Sequence, residues 1–212
     1  HDYLAGTEGQ TTGSSASVGG GFCNQASGSG AAVGGGLGNL ASGGGAAVGG
    51  GLSNVVAGVY AAVGGGQFNQ ASGSDATVGG GGYNQASASD STIGGGDHNQ
   101  VSAPYGVVGG GTSNQVQAES ATIAGGAENL VFGRHGTISG GYENQVSSNY
   151  ASIGGGRGNY AEGVYATVPG GNDNWAQADR SFAAGQHAWV QGGHEGTFIW
   201  ASGGDSFFSS TG

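Results

Sequence analysis

The chain has 212 residues, 54 of them glycine, with no lysine, three arginines and thirteen acidic residues, for a formal net charge of −10 at pH 7. Such a charge repels polyanions and anionic bilayers, and no run reaches the roughly 18 apolar residues of a membrane-spanning helix, so nucleic-acid binding and membrane insertion are set aside. One cysteine, Cys23, cannot form a disulfide within the chain.

Residues 1–15, HDYLAGTEGQTTGSS, are polar and stand outside the pattern that follows, which predicts a loose lead-in. A chain opening on His1 reads as processed or excised, which suits export. From Ala16 to Glu195 run twelve consecutive fifteen-residue units with no inserted or deleted residue. A unit that short cannot bury its own apolar side chains and must lean on its neighbours, the signature of a solenoid. The unbroken phase argues for one repeat domain over residues 16–195.

Position three of the unit is Val or Ile from Val18 to Val168 and becomes Ala183 only in the last copy; position eleven is Ala or Val until Gln191. Small or β-branched residues alternating with variable ones predict short half-buried strands, one at positions one to four and one at ten to twelve. With positions one, three and eleven inward, a coil buries about two Ala-sized groups and one Val, which suits a flat two-sheet roll. Twelve coils at about 4.8 Å each predict a rod of about 57 Å.

Between the strands lies a Gly-Gly-Gly turn whose middle member is Gly in every copy by count, from Gly20 to Gly185. Position nine is Asn in eleven copies, Asn24, Asn39, Asn54, Asn69, Asn84, Asn99, Asn114, Asn129, Asn144, Asn159 and Asn174, and Trp189 in the twelfth. Asn tolerates the left-handed region and bonds neighbouring backbone, so these residues are assigned to the turn, their stacked amides forming a ladder. A second turn is predicted at positions thirteen to fifteen. After Glu195 the phase fails, and Trp189, Phe198, Ile199, Trp200, Phe207 and Phe208 concentrate aromatic and apolar bulk. Residues 196–212 therefore read as a C-terminal cap over the last coil. The expected fold is all-β: a parallel β-roll or β-solenoid of twelve fifteen-residue coils with an aromatic cap.

No chemistry-bearing constellation stands out, and no enzyme, catalytic residue, cofactor or metal ligand is expected. The glycines lack the Lys-Ser/Thr of a phosphate-binding loop. His187, His194 and Glu195 match no zinc spacing. Asp97, Glu128, Glu143 and Asp173 fall at positions seven or eight, and Glu128 and Glu143 occupy adjacent coils, where calcium would relieve carboxylate repulsion. Calcium is thus the one ion the pattern admits.

Two columns are candidate ligand faces. Tyr60, Tyr105, Tyr150 and Tyr165 stand at position fifteen, where aromatic rings beside polar groups either contact a ligand or cover the thin core. Thr77, Thr92, Thr122, Thr137 and Thr167 stand at position two, a partial ladder of hydroxyls that motivates an ice-binding alternative. Outward Leu37, Leu40, Leu52, Val55, Leu130, Tyr160 and Trp175 predict lateral association, and unpaired terminal coils would let such rods join end to end.

Ala-x-Val-Gly-Gly-Gly followed by x-x-Asn-Gln-Ala-Ser-Gly resembles the head repeats of YadA-type trimeric autotransporter adhesins over residues 16–180. That resemblance implies a left-handed parallel β-roll, three chains around a common axis, and a non-catalytic adhesive role on an extracellular cell surface toward a host or matrix ligand. A self-assembling extracellular filament subunit is the other alternative.

Overall fold

The computed structural model describes residues 9–203, and the chain divides into two compact units, His1–Tyr105 and Gly106–Gly212. The division falls between the sixth and seventh sequence copies. Each unit, taken by itself, is an all-β solenoid of stacked parallel coils, and no helix occurs among the described residues.

Each of the first ten copies contributes two strands of two residues, shorter than the sequence predicts, while the eleventh adds Gly171–Asn172 and the twelfth opens on the five-residue Phe182–Gln186. In the second copy the two strands are Ala32–Val33, at positions two and three, and Leu40–Ala41, at positions ten and eleven. Within each unit the strands pair in parallel with their equivalents in neighbouring coils. Ala47 opposes Ala62 and Leu40 opposes Val55 in the first unit; Thr122 opposes Thr137 and Gln145 opposes Tyr160 in the second. The predicted two-sheet roll also has a third pairing line, of single-residue bridges at position seven: Phe22 with Leu37 and Leu37 with Leu52, then Ala127 with Tyr142. Strands stay short because a corner interrupts the backbone on either side of each pair.

Positions one, three and eleven point inward as expected, and Ala46, Val56 and Val63 are essentially inaccessible. Position nine joins them. Position thirteen does so too, holding Gly58, Ala103, Ala118 and Ala178, so the core draws on more of the coil than hydropathy alone marks out. At one coil, position one has no side chain where two valines fill position eleven around it. Gly136 stands at position one with Val146 at position eleven, and a Cβ on Gly136 would sit 2.8 Å from Cγ1 of both Val131 and Val146. At this coil the core is packed to contact, so a methyl group added to Gly136 would crowd both valines.

The register corrects three boundaries. Gln10–Thr11 pairs in register with Gln25–Ala26, so the lead-in from Gly9 onward belongs to the stack. The twelfth coil is one residue short. Gly171 opposes Gly185, Trp175 opposes Trp189 and Ala176 opposes Val190, which puts Trp189 at position ten and Val190 at position eleven, where a count of fifteen had placed Trp189 and Gln191 at positions nine and eleven. Phe198–Ser202 then pairs residue for residue with Phe182–Gln186, so the predicted cap begins as another parallel rung. Phe207 and Phe208 lie outside the described residues.

That shortened coil also relocates the required glycine. The sixth position, not the fifth, is Gly in all twelve coils once register is read from pairing, and φ there runs from +84° at Gly21 and Gly66 to +107° at Gly171. A Cβ on Gly66 would collide with the Gly81 carbonyl oxygen and lie 2.9 Å from Asn69 Nδ2, whereas one on Gly65 would meet nothing within 4 Å. Only glycine combines this backbone conformation with so close an approach.

Candidate interaction surface

Two corners of each coil are built from residues in the left-handed conformation, and most are not glycine. Position eight reads φ 55° at Cys23, 52° at Ser53, 54° at Phe68 and 56° at Glu128; position fifteen reads 56° at Tyr60, 57° at Asp75 and 60° at Tyr150. The sequence reading assigned this conformation to Asn at position nine; the preceding residue adopts it instead. The reason is local. An outward left-handed residue lets Asn turn inward, and the corner's own N–H is satisfied by the previous coil, as in Ser53 N–H to Leu37 O at 2.8 Å and Tyr60 N–H to Gly44 O at 2.8 Å. Left-handed non-glycine residues are unfavourable by roughly 1–2 kcal/mol each, so the hydrogen-bonded stack on both sides must hold them.

Asn forms the ladder that the sequence suggested. Asn39 Nδ2 donates to Gly35 O at 3.0 Å in its own coil and to Gly51 O at 2.9 Å in the next, while its Oδ1 accepts the Asn54 backbone N–H at 3.0 Å. The second unit repeats this through Asn129, Asn144, Asn159 and Asn174, and Asn174 Oδ1 accepts the Ala188 N–H at 2.9 Å where the column ends. Among the described residues no buried side-chain nitrogen or oxygen lacks a partner. The constant Asn column thus carries its polar groups in internal hydrogen bonds.

The variable half faces outward in columns. Tyr150 stacks between His135 and Tyr165 at 5.0 Å on either side, at position fifteen. Tyr60 and Tyr105 stand at the same corner of the first unit, with Tyr60 71% exposed. A second column went unread in the sequence although its spacing is visible there: Phe68, Tyr83 and His98 recur every fifteen residues at position eight and stack at 5.0 and 4.8 Å. A third, Tyr160, Trp175 and Trp189 at position ten, stacks at 5.2 and 5.7 Å, and counting by fifteen hid it by misplacing Trp189. Trp189 Nε1 donates to Gln177 Oε1 at 2.9 Å.

The Thr column lies on the outer face of the position-two strands. Thr77 opposes Thr92 and Thr122 opposes Thr137, but Ser152 separates Thr137 from Thr167, so no run within either unit exceeds two threonines. The acidic residues stay at the corners with separate partners. Glu143 faces Arg157 at 4.0 Å, Asp97 bonds His98 Nδ1 at 2.6 Å, and Asp173 accepts from Asn172 at 2.7 Å. Among the described residues no group of three or more His, Cys, Asp or Glu side chains converges as a metal site would require. The Tyr142 phenol is pushed above its usual range, first by the Glu143 carboxylate, then by desolvation and by Glu128, whose Oε2 accepts from its hydroxyl at 3.5 Å; Arg157 opposes the shift. Arg134 pairs with Glu119 across adjacent coils. A shallow cleft of about 350 Å³ on the second unit is lined by Pro169, Gly170, Gly171, Ala184, Gly185 and Trp200.

Fold and site together define a fifteen-residue-coil β-solenoid with an invariant interior and variable outward columns. Comparison with protein-family models and with curated proteins returns no match.

Proposed function

We propose that this chain is a non-catalytic adhesive module displayed outside the cell, whose outward columns make repeated weak contacts with a host or matrix surface. The observation that carries the reading is the left-handed corner. Positions eight and fifteen accept Phe, Tyr, His, Ser, Asp or Glu without altering the backbone, because the hydrogen bonds that hold them are made by main-chain atoms. A scaffold with that property presents interchangeable side chains at the inter-coil spacing, about 4.8 Å. Stacked aromatic rings such as Tyr150 and Tyr165 offer apolar bodies and polar tips suited to protein or sugar partners. Individually weak contacts along such columns gain avidity by being linked. The head-repeat resemblance in the glycine and asparagine columns, and a charge of −10 without lysine, fit an extracellular setting.

Beads coated with the protein test the proposal on matrix-coated and cell-covered surfaces. Adhesion is expected, with a several-fold loss for Tyr150→Ala combined with Tyr165→Ala. Absence of adhesion to any such surface overturns it. Ice binding is the second reading, favoured by the outward Thr77–Thr92 and Thr122–Thr137 neighbours, and thermal hysteresis of the purified protein decides it.

A further inference from the structure

Tyr150 and Tyr165 are the one pair of tyrosines whose rings stack on each other among the described residues. Their centroids are 5.0 Å apart with planes 10° from parallel, and the two residues are 49% and 54% exposed. The backbone fixes this pairing. Both stand in the left-handed region, at φ 60° and 59°, and each donates its N–H to the preceding coil, Tyr150 to Arg134 O at 2.9 Å and Tyr165 to Asn149 O at 3.1 Å. On its other face Tyr150 meets the His135 ring, and the column continues past Tyr165 to Arg180. Tyr60 and Tyr105 are more exposed, at 71% and 57%, yet have no phenol beside them: their column neighbours are Gly45 and Asp75, and Asp90 and Ser120. Tyr83 lies between Phe68 and His98, and Tyr160 on Trp175.

We propose that Tyr150 and Tyr165 form an oxidative cross-linking site, joined within one chain by hydrogen peroxide acting through a haem peroxidase. The peroxide takes one hydrogen atom from each phenol, its O–O bond breaks, and two waters leave. The two phenoxyl radicals combine through ring carbons ortho to oxygen, forming one C–C bond. The hydrogen on each coupled carbon then passes through water to the neighbouring oxygen, which restores both phenols and leaves the chain two hydrogens lighter. Proximity selects the partner. A radical on Tyr150 finds a second phenol one coil away, at an effective concentration that separate chains do not reach in dilute solution. Chains that each carry a net charge of −10 also repel one another, which disfavours coupling between them. Exposure leaves both rings room to tilt from the stack into bonding contact. The new bond staples the ninth coil to the tenth and constrains the unfolded chain as a disulfide would, in a sequence whose single cysteine cannot form one internally.

The inference goes beyond the adhesive reading and does not depend on it, because its test needs no adhesive surface. The full chain at micromolar concentration is treated with a haem peroxidase and hydrogen peroxide, then followed by dityrosine fluorescence, intact mass and peptide mapping. The main product is expected at the single-chain mass less two hydrogens, with the peptides that carry Tyr150 and Tyr165 joined. Tyr165→Phe and Tyr150→Phe keep the ring stack and remove one phenol, and each is expected to lower the single-chain product about tenfold or more. Tyr105→Phe, at an exposed corner without a phenol neighbour, is expected to leave it unchanged. Cross-links found mainly between chains, a single-chain product that survives Tyr165→Phe, or no cross-link under conditions that couple free tyrosine overturns the proposal.

Discussion

Asn39 Oδ1 accepts two hydrogen bonds from Asn54, one from its backbone N–H at 3.0 Å and one from its Nδ2 at 3.1 Å. The side chain of one coil thus caps the backbone of the next, and Asn54 does the same for Asn69 at 2.9 Å. Replacing Asn54 by Ala removes a donor from the part-buried Gly50 and Gly66 carbonyls, the second of which keeps the Leu52 N–H, and deprives the buried Asn69 N–H of its acceptor. A buried group left unpaired costs about 1–3 kcal/mol, so Asn54→Ala is expected to destabilise the protein by about 1–3 kcal/mol in urea unfolding. A change below about 1 kcal/mol contradicts the capping role.

Neighbouring glycines of one triplet differ in their tolerance. Gly66→Ala drives a methyl into the Gly81 carbonyl at a φ of +84° and is expected to lower stability by more than about 3 kcal/mol. Gly65→Ala, with open space around its Cβ, is expected to stay within about 0.5 kcal/mol of the parent. Thermal melts of the two single variants make the comparison.

Core volume is shared between columns, so substitutions there are coupled. Gly136→Ala crowds Val131 and Val146 and is expected to destabilise by about 1–3 kcal/mol. Adding Val146→Ala, which leaves a cavity by itself, is expected to recover part of that loss. A double-mutant cycle with a coupling of at least about 0.5 kcal/mol supports shared packing, and strict additivity refutes it.

Tyr83 stacks on both Phe68 and His98, at 5.0 and 4.8 Å. Aromatic pairs contribute about 0.5–1.5 kcal/mol beyond their buried area, so Tyr83→Ala is expected to cost about 1–2 kcal/mol although the site is exposed. Tyr83→Phe, which keeps the ring, is expected to remain near the parent.

Tyr142 gives a directional pH test. Its phenol is raised above the ordinary 10.0 chiefly by the Glu143 carboxylate, so the folded state holds that proton more tightly than the unfolded chain. The associated stabilisation is complete below the unfolded value and fades as pH rises through the folded one. Site-resolved NMR titration is expected to show late ionisation of Tyr142, and Glu143→Gln to bring it back toward 10.0.

The repeat itself was legible in the linear chain, and so were its consequences. A fifteen-residue period with Val or Ile at position three and Ala or Val at position eleven admits parallel stacked coils, because no shorter arrangement buries those side chains. The Asn ladder was legible too, since a polar residue recurring in phase at a bend must pair with its own equivalents. The Tyr column at position fifteen and the Thr column at position two lie outward as their alternation with the core implies.

Backbone pairing decided the rest. Counting cannot detect one missing residue in a glycine run, so the required glycine at position six, the register of Trp189 and the extra rung at Phe198–Ser202 emerged only from which strands face each other. Left-handed geometry at Phe68 or Tyr150 carries no signature in side chains that ordinarily avoid it; it is held by main-chain bonds to the previous coil, Phe68 N–H to Leu52 O and Tyr150 N–H to Arg134 O, each at 2.9 Å. Sequence periodicity set what stacks, and the three-dimensional register set which atoms meet, because hydrogen bonds between coils act through the main chain, whose conformation side-chain identity constrains only weakly.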